Sequence, residues 1–103
     1  MSKKESDVDL PRSAWVLVQV AALPSGPFAR GPAAAVWLRD ARAAARLLAA
    51  GKAVTVEGVR GGIRGLGSVQ RYAADHGDRE QLAACEERAE LLEEAIRLAG
   101  VEP

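Results

Sequence analysis

Residues 79–99 read REQLAACEERAELLEEAIRLA, and this stretch decides the architecture of the chain. Its apolar residues recur at alternating spacings of three and four, like the a and d positions of a heptad. They are Leu82, Cys85, Ala89, Leu92, Ile96 and Ala99. Asp78, with Gln81 three residues on, gives a capping-box pattern, and Gly100 follows as a stop. The sequence predicts an amphipathic helix that associates along this seam with another helix, internal or from a second subunit.

A second helix is predicted over residues 33–50. Pro32 suits a first helical turn, and Gly51 supplies the left-handed conformation with which helices commonly end. The apolar face of this segment is wide, as in a helix that packs inside a bundle. Its polar face carries three arginines, namely Arg39, Arg42 and Arg46.

Residues 14–23, AWVLVQVAAL, are apolar on both alternating sets of side chains. That pattern fits a strand covered on both faces or a helix buried all round. The three valines favour the strand. The alternation over 53–57 fits a second strand, while Thr55 equally fits the cap of a short helix, and both alternatives stay open.

Ser68 and Gly77 bound a third predicted helix, over residues 68–76. The expected fold class is therefore α+β and mostly α, with one or two short strands and three helices. With 103 residues, the chain has room for one domain. We expect a flexible tail over 1–12, whose start is polar and mixed in charge, and a single small domain over 13–103.

The charges are unevenly distributed although the chain as a whole is neutral. Residues 30–71 hold eight basic and two acidic side chains, for a net charge of +6. Residues 78–99 hold seven acidic and three basic side chains, for a net charge of −4. A basic middle permits an anionic partner without requiring one. The single cysteine excludes an internal disulfide, so we expect a cytoplasmic protein, and no apolar run is long enough to cross a membrane.

The residues suited to catalysis are few. His76 and Cys85 are the only histidine and cysteine, and Cys85 lies on the apolar seam, where packing is the ordinary role. The five glycines between 58 and 67 match no phosphate-binding motif, and a turn is their expected role. No ligand spacing typical of a metal site occurs. The sequence predicts no enzyme, no cofactor and no metal.

The basic middle gives the leading functional hypothesis, which is binding of duplex DNA. If residues 41–50, 55–62 and 68–76 form three short helices, they make a helix-turn-helix in which 68–76 reads the bases. The alternative is a surface loop followed by a connector helix. The side chains expected at nucleic acid are Arg39, Arg42, Arg46, Arg60, Arg64, Ser68, Gln70 and Arg71.

The order AAGKAVTVEGVR (49–60) followed by GSVQRY (67–72) resembles the N-terminal domain of KfrA-type plasmid DNA-binding proteins. The resemblance covers about a third of the chain. It implies a small helical DNA-binding domain followed by a coiled-coil helix, the place that 79–99 takes here. It also implies DNA contacts from Thr55, Ser68, Gln70 and Arg71, with Arg71 on a phosphate or a guanine edge.

Two classes of function follow from these observations. The first is a small nucleic-acid-binding protein that forms a homo-oligomer through 79–99. The second is a non-enzymatic structural or adaptor protein that self-assembles or binds a protein partner through 14–23 and 79–99. The state of residues 53–60 discriminates between them, because a strand there removes the helix-turn-helix.

Overall fold

In the computed structural model, residues 8–23 and 26–103 are described, and they fold as helices joined by short connections. The helices are α1 (Arg12–Ala21), α2 (Gly31–Ala49), α3 (Val56–Asp75) and α4 (Arg79–Leu98), with a 3-10 turn at Gly26–Ala29. The helices α2, α3 and α4 have 19 or 20 residues each, so each is about 30 Å long. The molecule measures 46 × 25 × 19 Å.

The expected α+β class is wrong, because the described residues form no sheet and the segment 14–23 is helical as far as residue 21. Ala14, Val18 and Ala21 are its buried residues, and their spacings of four and three are those of a helix. An apolar run of ten residues fits either structure from its pattern alone, and the preference of valine for strands is a weak, context-dependent term. The segment is helical because a helix buries one of its faces against α2 and α4.

The possible strand over 53–57 is wrong as well. Residues 53–55 connect α2 to α3, and their only strand-like pairing among the described residues is an isolated bridge between Asp9 and Thr55. At this bridge the Leu10 amide donates to the Val54 carbonyl at 2.8 Å. Leu10 is also buried, so this part of the expected tail packs on the fold. Residues 1–7 of that tail lie outside the described residues.

The predicted helix 68–76 is only the second half of α3, which begins at Val56 and continues unbroken through five glycines. The Thr55 hydroxyl caps it by accepting from the Gly58 amide at 3.1 Å. Each interior glycine costs a helix about 1 kcal/mol relative to alanine. Burial of one face of α3 outweighs that cost, through Val56, Val59, Leu66, Val69 and Ala73. The helices predicted over 33–50 and 79–99 are confirmed to within two residues at their ends.

The four helices pack in a ring, in the order α1, α2, α3, α4 and back to α1. Three residues join α3 to α4, so these two helices run antiparallel. The pair of Arg30 with Asp78, 3.1 Å apart, places the start of α2 at the α3–α4 turn. Consecutive helices therefore alternate in direction, and α2 and α4 lie diagonally across the bundle. None of the described helices is long and apolar enough to span a bilayer.

Candidate functional site

The predicted DNA-contacting arginines of α2 lie on its outer face. Arg39, Arg42 and Arg46 are all exposed. Arg39 donates to the carboxylate of the adjacent Asp40 at 3.2 Å, and the Arg46 Nε donates to the Arg42 carbonyl at 3.3 Å. These three side chains therefore lie on the solvent-exposed face of α2.

The predicted DNA-contacting residues of α3 do not form a reading helix, because α3 has no turn between residues 62 and 68. Arg60 donates to the Glu102 carbonyl at 2.7 Å, and Arg64 pairs with Glu57 at 3.0 Å. Arg71 donates to the Ser68 hydroxyl at 3.3 Å, while Gln70 is half-buried. Arg64 and Arg71 thus bond within α3 and Arg60 reaches the C-terminal segment, while residues 56–75 form one helix instead of the two short helices expected.

The heptad seam of α4 faces the interior of the same chain. Cys85, Leu92 and Ile96 are buried, and Leu82, Ala89 and Ala99 are half-buried. Helices α1 and α3 are the neighbours that cover this face. Burial raises the pKa of the Cys85 thiol from 9.0 to about 11, so the residue acts as a packed apolar side chain. The seam is thus an internal contact rather than a surface open to another subunit.

An apolar cavity of about 660 Å³ opens between α2 and α3. Helix α2 lines it with Ala33, Val36, Trp37, Asp40, Ala41, Ala44 and Leu47, and α3 lines it with Gly58, Val59, Gly61, Gly62, Gly65 and Ser68. The lining is completed by Val18 and Ala21 of α1, by Leu92 of α4 and by Val54 of the connection between α2 and α3. Since all four helices contribute, the cavity extends from the surface into the centre of the bundle.

Glycines form the α3 wall of this cavity. A Cβ atom on Gly65 would lie 2.9 Å from the Trp37 Cδ1, so the indole packs directly on the backbone of α3. The Trp37 Nε1 donates to the Gly62 carbonyl at 3.0 Å, and this hydrogen bond fixes the orientation of the indole ring in the cavity lining. Gly58 and Gly61 would meet only ordinary contacts at 3.5 and 3.6 Å. The contact with Trp37 therefore explains why position 65 is a glycine. At Gly58 and Gly61 the missing side chains leave space that belongs to the cavity.

The mouth of the cavity carries exposed apolar side chains and little polarity. Val36 and Leu47 are 52% and 43% exposed, although both are large and apolar. Among the described lining residues, Asp40 is the one ionisable side chain and Ser68 the one hydroxyl. The indole N–H already has its acceptor, so Asp40 and Ser68 are the side chains left to orient a bound molecule.

A buried arginine joins α4 to the end of α1 on another side of the bundle. Arg88 is 6% exposed, and its guanidinium lies over the Phe28 ring, 3.8 Å from the centroid. It donates to the Leu23 carbonyl at 2.8 Å and to the Ala84 carbonyl at 3.1 Å. Burial lowers the pKa of this guanidinium. Arg88 thus ties the segment just after α1 to the interior of α4, which is a structural role.

Sequence reasoning missed the cavity because it interpreted the glycines of 58–67 as a turn. The signal was present, since Gly58, Gly61, Gly65 and Ser68 recur at spacings of three and four. On a helix, such spacing places small residues on one face. The described residues hold no cluster of histidine, cysteine and carboxylate groups that could bind a metal ion.

No family model matches this chain, and no curated protein and no solved structure matches it either.

Proposed function

We propose that this protein is a small helical binding module that takes up an apolar small molecule in the cavity between α2 and α3. The observation that carries the proposal is the cavity of about 660 Å³ with its almost wholly apolar lining. Binding sites for small molecules are typically clefts of roughly 300–1,000 Å³ with apolar walls and a few polar groups. Spaces between the helices of a bundle are among their usual locations.

The depth of the cavity favours a small molecule over a peptide helix. Its floor includes Val18 of α1 and Leu92 of α4, on the far side of the bundle interior from the mouth. A helix has a diameter of about 10 Å with its side chains, so it would rest on the rims formed by Val36 and Leu47. A narrow apolar molecule reaches the floor and removes more apolar surface from water.

The proposal is for binding and not for catalysis. Among the described lining residues there is neither a histidine nor a cysteine. Asp40 and Ser68 lie on facing helices, and the described contacts include no hydrogen bond between them; the Ser68 hydroxyl accepts from Arg71 instead. The chemistry available in the cavity is burial of apolar surface and hydrogen bonding at the mouth.

A ligand-dependent thermal unfolding experiment tests the proposal with decanol as a neutral apolar probe. At ten times its Kd, a ligand that binds only the folded state stabilises it by about 1.4 kcal/mol. We expect the midpoint of unfolding followed by circular dichroism to rise by several degrees, since each kcal/mol is worth about 4–8 °C in a domain of this size.

Two leucine variants of α3 provide the matched comparison. Gly61→Leu puts a side chain into the cavity, whereas Gly67→Leu puts the same side chain outside the lining, where a Cβ meets nothing within 4 Å. Decanol should stabilise Gly67→Leu as it does the wild type and leave Gly61→Leu unchanged. The proposal is refuted if decanol leaves the wild type unchanged or stabilises both variants equally.

A second candidate function, association of two copies through α1, rests on a different observation. Val16 and Val20 on the outer face of α1 and Leu23 just beyond its end are 57%, 46% and 59% exposed, and they form an apolar row. Residues 13–23 carry no charge, so two copies can approach without repulsion and bury this row against itself. Three side chains make a small interface, so we expect a weak dimer whose sedimentation depends on concentration. A Val20→Lys variant should remain monomeric at every concentration, and a wild type that does the same refutes the candidate.

Duplex DNA binding stays a prediction from the sequence. The three exposed arginines of α2 and the net charge of +6 over residues 30–71 still motivate it. Gel retardation of a duplex at about 50 mM salt tests it, because nonspecific phosphate contacts are strong there and weaken steeply with added salt.

A further inference from the structure

We infer that the molecule bound in the cavity carries a positively charged head, such as an alkylammonium group, which the Asp40 carboxylate receives at the mouth. This inference rests on the proposed function and names the chemical class of its ligand. Asp40 is the one charged side chain among the described residues that line the cavity. Its position on α2, between Val36 and Leu47 in the lining, places the carboxylate beside the mouth and the apolar walls below it.

The carboxylate has spare acceptor capacity. An ionised aspartate offers about four lone-pair sites, and the one described donor to it is the Arg39 Nε, at 3.2 Å. The Arg39 and Asp40 side chains are 73% and 70% exposed, and exposed pairs of this kind contribute little. A ligand ammonium can therefore share the carboxylate or displace Arg39 from it. The attraction between the ligand ammonium and the Asp40 carboxylate is stronger than in open water, because the ligand's chain fills the cavity and excludes water from one side of this ion pair.

The other polar groups near the mouth select against a negatively charged head. No lysine, arginine or histidine is among the described lining residues. Arg64 lies close to Gly61, with its Nη2 3.6 Å from where a Cβ would be, but it pairs with Glu57 at 3.0 Å. The Ser68 hydroxyl accepts from Arg71. An anionic head would be repelled by Asp40, the one charged side chain in the described lining, while Arg71 reaches the mouth only at the Ser68 hydroxyl. A neutral hydroxyl head gains at most a hydrogen bond there.

The experiment compares decylamine with decanol, which have the same chain and differ in the head group. Isothermal titration at neutral pH and below micelle-forming concentrations should give decylamine the lower Kd, by up to about fivefold. In Asp40→Asn, the decylamine Kd should rise by up to about fivefold while the decanol Kd stays the same. Arg39→Gln should tighten decylamine binding because it removes the competing cation. Glu90→Gln, an equal loss of charge on the exposed face of α4, is the matched control and should change neither Kd.

The outcomes separate the two proposals. If neither compound binds, the cavity is not a ligand site, and both proposals fail. If both bind with equal Kd and Asp40→Asn changes neither, the cavity binds apolar molecules but the charge inference is overturned. Added sodium chloride gives an independent reading, since salt should weaken decylamine binding and leave decanol binding unchanged. An equal effect of salt on the two compounds would also count against the role of Asp40.

Discussion

The contact between Trp37 and Gly65 shapes the floor and wall of the cavity, and an alanine at position 65 tests it. The new Cβ would lie 2.9 Å from the Trp37 Cδ1, closer than real Cβ atoms approach their neighbours. Either the indole or α3 must shift, and any shift strains the hydrogen bond from Trp37 Nε1 to the Gly62 carbonyl, now 3.0 Å. Overfilling of this kind costs about 1–3 kcal/mol.

The magnitude follows from a comparison with Gly67→Ala. Replacing an interior helical glycine by alanine gains about 1 kcal/mol from helix propensity alone. At Gly67 nothing lies within 4 Å of the new Cβ, so Gly67→Ala should be more stable than the wild type by about that amount. At Gly65 the same gain is offset by the clash. We expect Gly65→Ala to be up to about 2 kcal/mol less stable than the wild type and about 1–3 kcal/mol less stable than Gly67→Ala.

Urea unfolding followed by circular dichroism measures both variants. The midpoints should move in opposite directions, or Gly65→Ala should stay near the wild type, while the dependence on urea keeps its slope. The unperturbed slope matters because it shows that the folded and unfolded states keep their compactness. Equal stabilisation of both variants would mean that Trp37 does not pack on Gly65, and the described shape of the cavity would be refuted.

Three further predictions concern the parts of the bundle that hold the cavity in place. Thr55→Ala removes the cap of α3 and should cost about 1 kcal/mol in the same urea experiment; no loss would mean that α3 begins elsewhere. Arg88→Met should cost about 1.5–3 kcal/mol because it removes charged hydrogen bonds to carbonyls, whereas Arg97→Met on the exposed face should change stability by less than about 1 kcal/mol. The raised pKa of Cys85 means that the folded state holds the thiol proton more tightly than the unfolded chain. Stability should therefore be retained below pH 9 and fall between pH 9 and about 11, and Cys85→Ala should lack this part of the pH dependence.

The helices that the sequence predicted correctly are those with clear caps and a clear period. In α4, Asp78 and Gly100 mark the ends and the heptad spacing marks the buried face. In α2, Pro32 and Gly51 do the same. These signals act within a few residues, so they can be recognised without knowledge of the rest of the fold.

The two segments that sequence reasoning got wrong are decided by contacts distant along the chain. The valines of α1 prefer strands locally, yet one face of α1 is buried against α2 and α4. The glycines of α3 disfavour a helix locally, yet Gly65 is required by the indole of Trp37, 28 positions earlier. Local propensity amounts to about 1 kcal/mol per residue, and burial of a helix face against its neighbours exceeds it.

The candidate site could not be predicted from the sequence, because it too depends on contacts between residues distant along the chain. The cavity exists because α2 and α3 lie side by side with small residues between them, whereas the local sequence of residues 58–67 predicts a turn. Three of the arginines selected for DNA binding, Arg39, Arg42 and Arg46, lie exposed on α2 as their polar face predicts. The α4 seam was identified correctly as a contact face, but its partners are α1 and α3 of the same chain.

Whether an apolar molecule occupies the cavity between α2 and α3 can be measured by NMR chemical-shift mapping during a decanol titration. We expect saturable shifts of the Trp37 indole N–H and of the amides lining the cavity on α2 and α3, with α4 amides of the exposed face unchanged. Shifts confined to the exposed row of Val16, Val20 and Leu23, or an absence of saturable shifts, would contradict it.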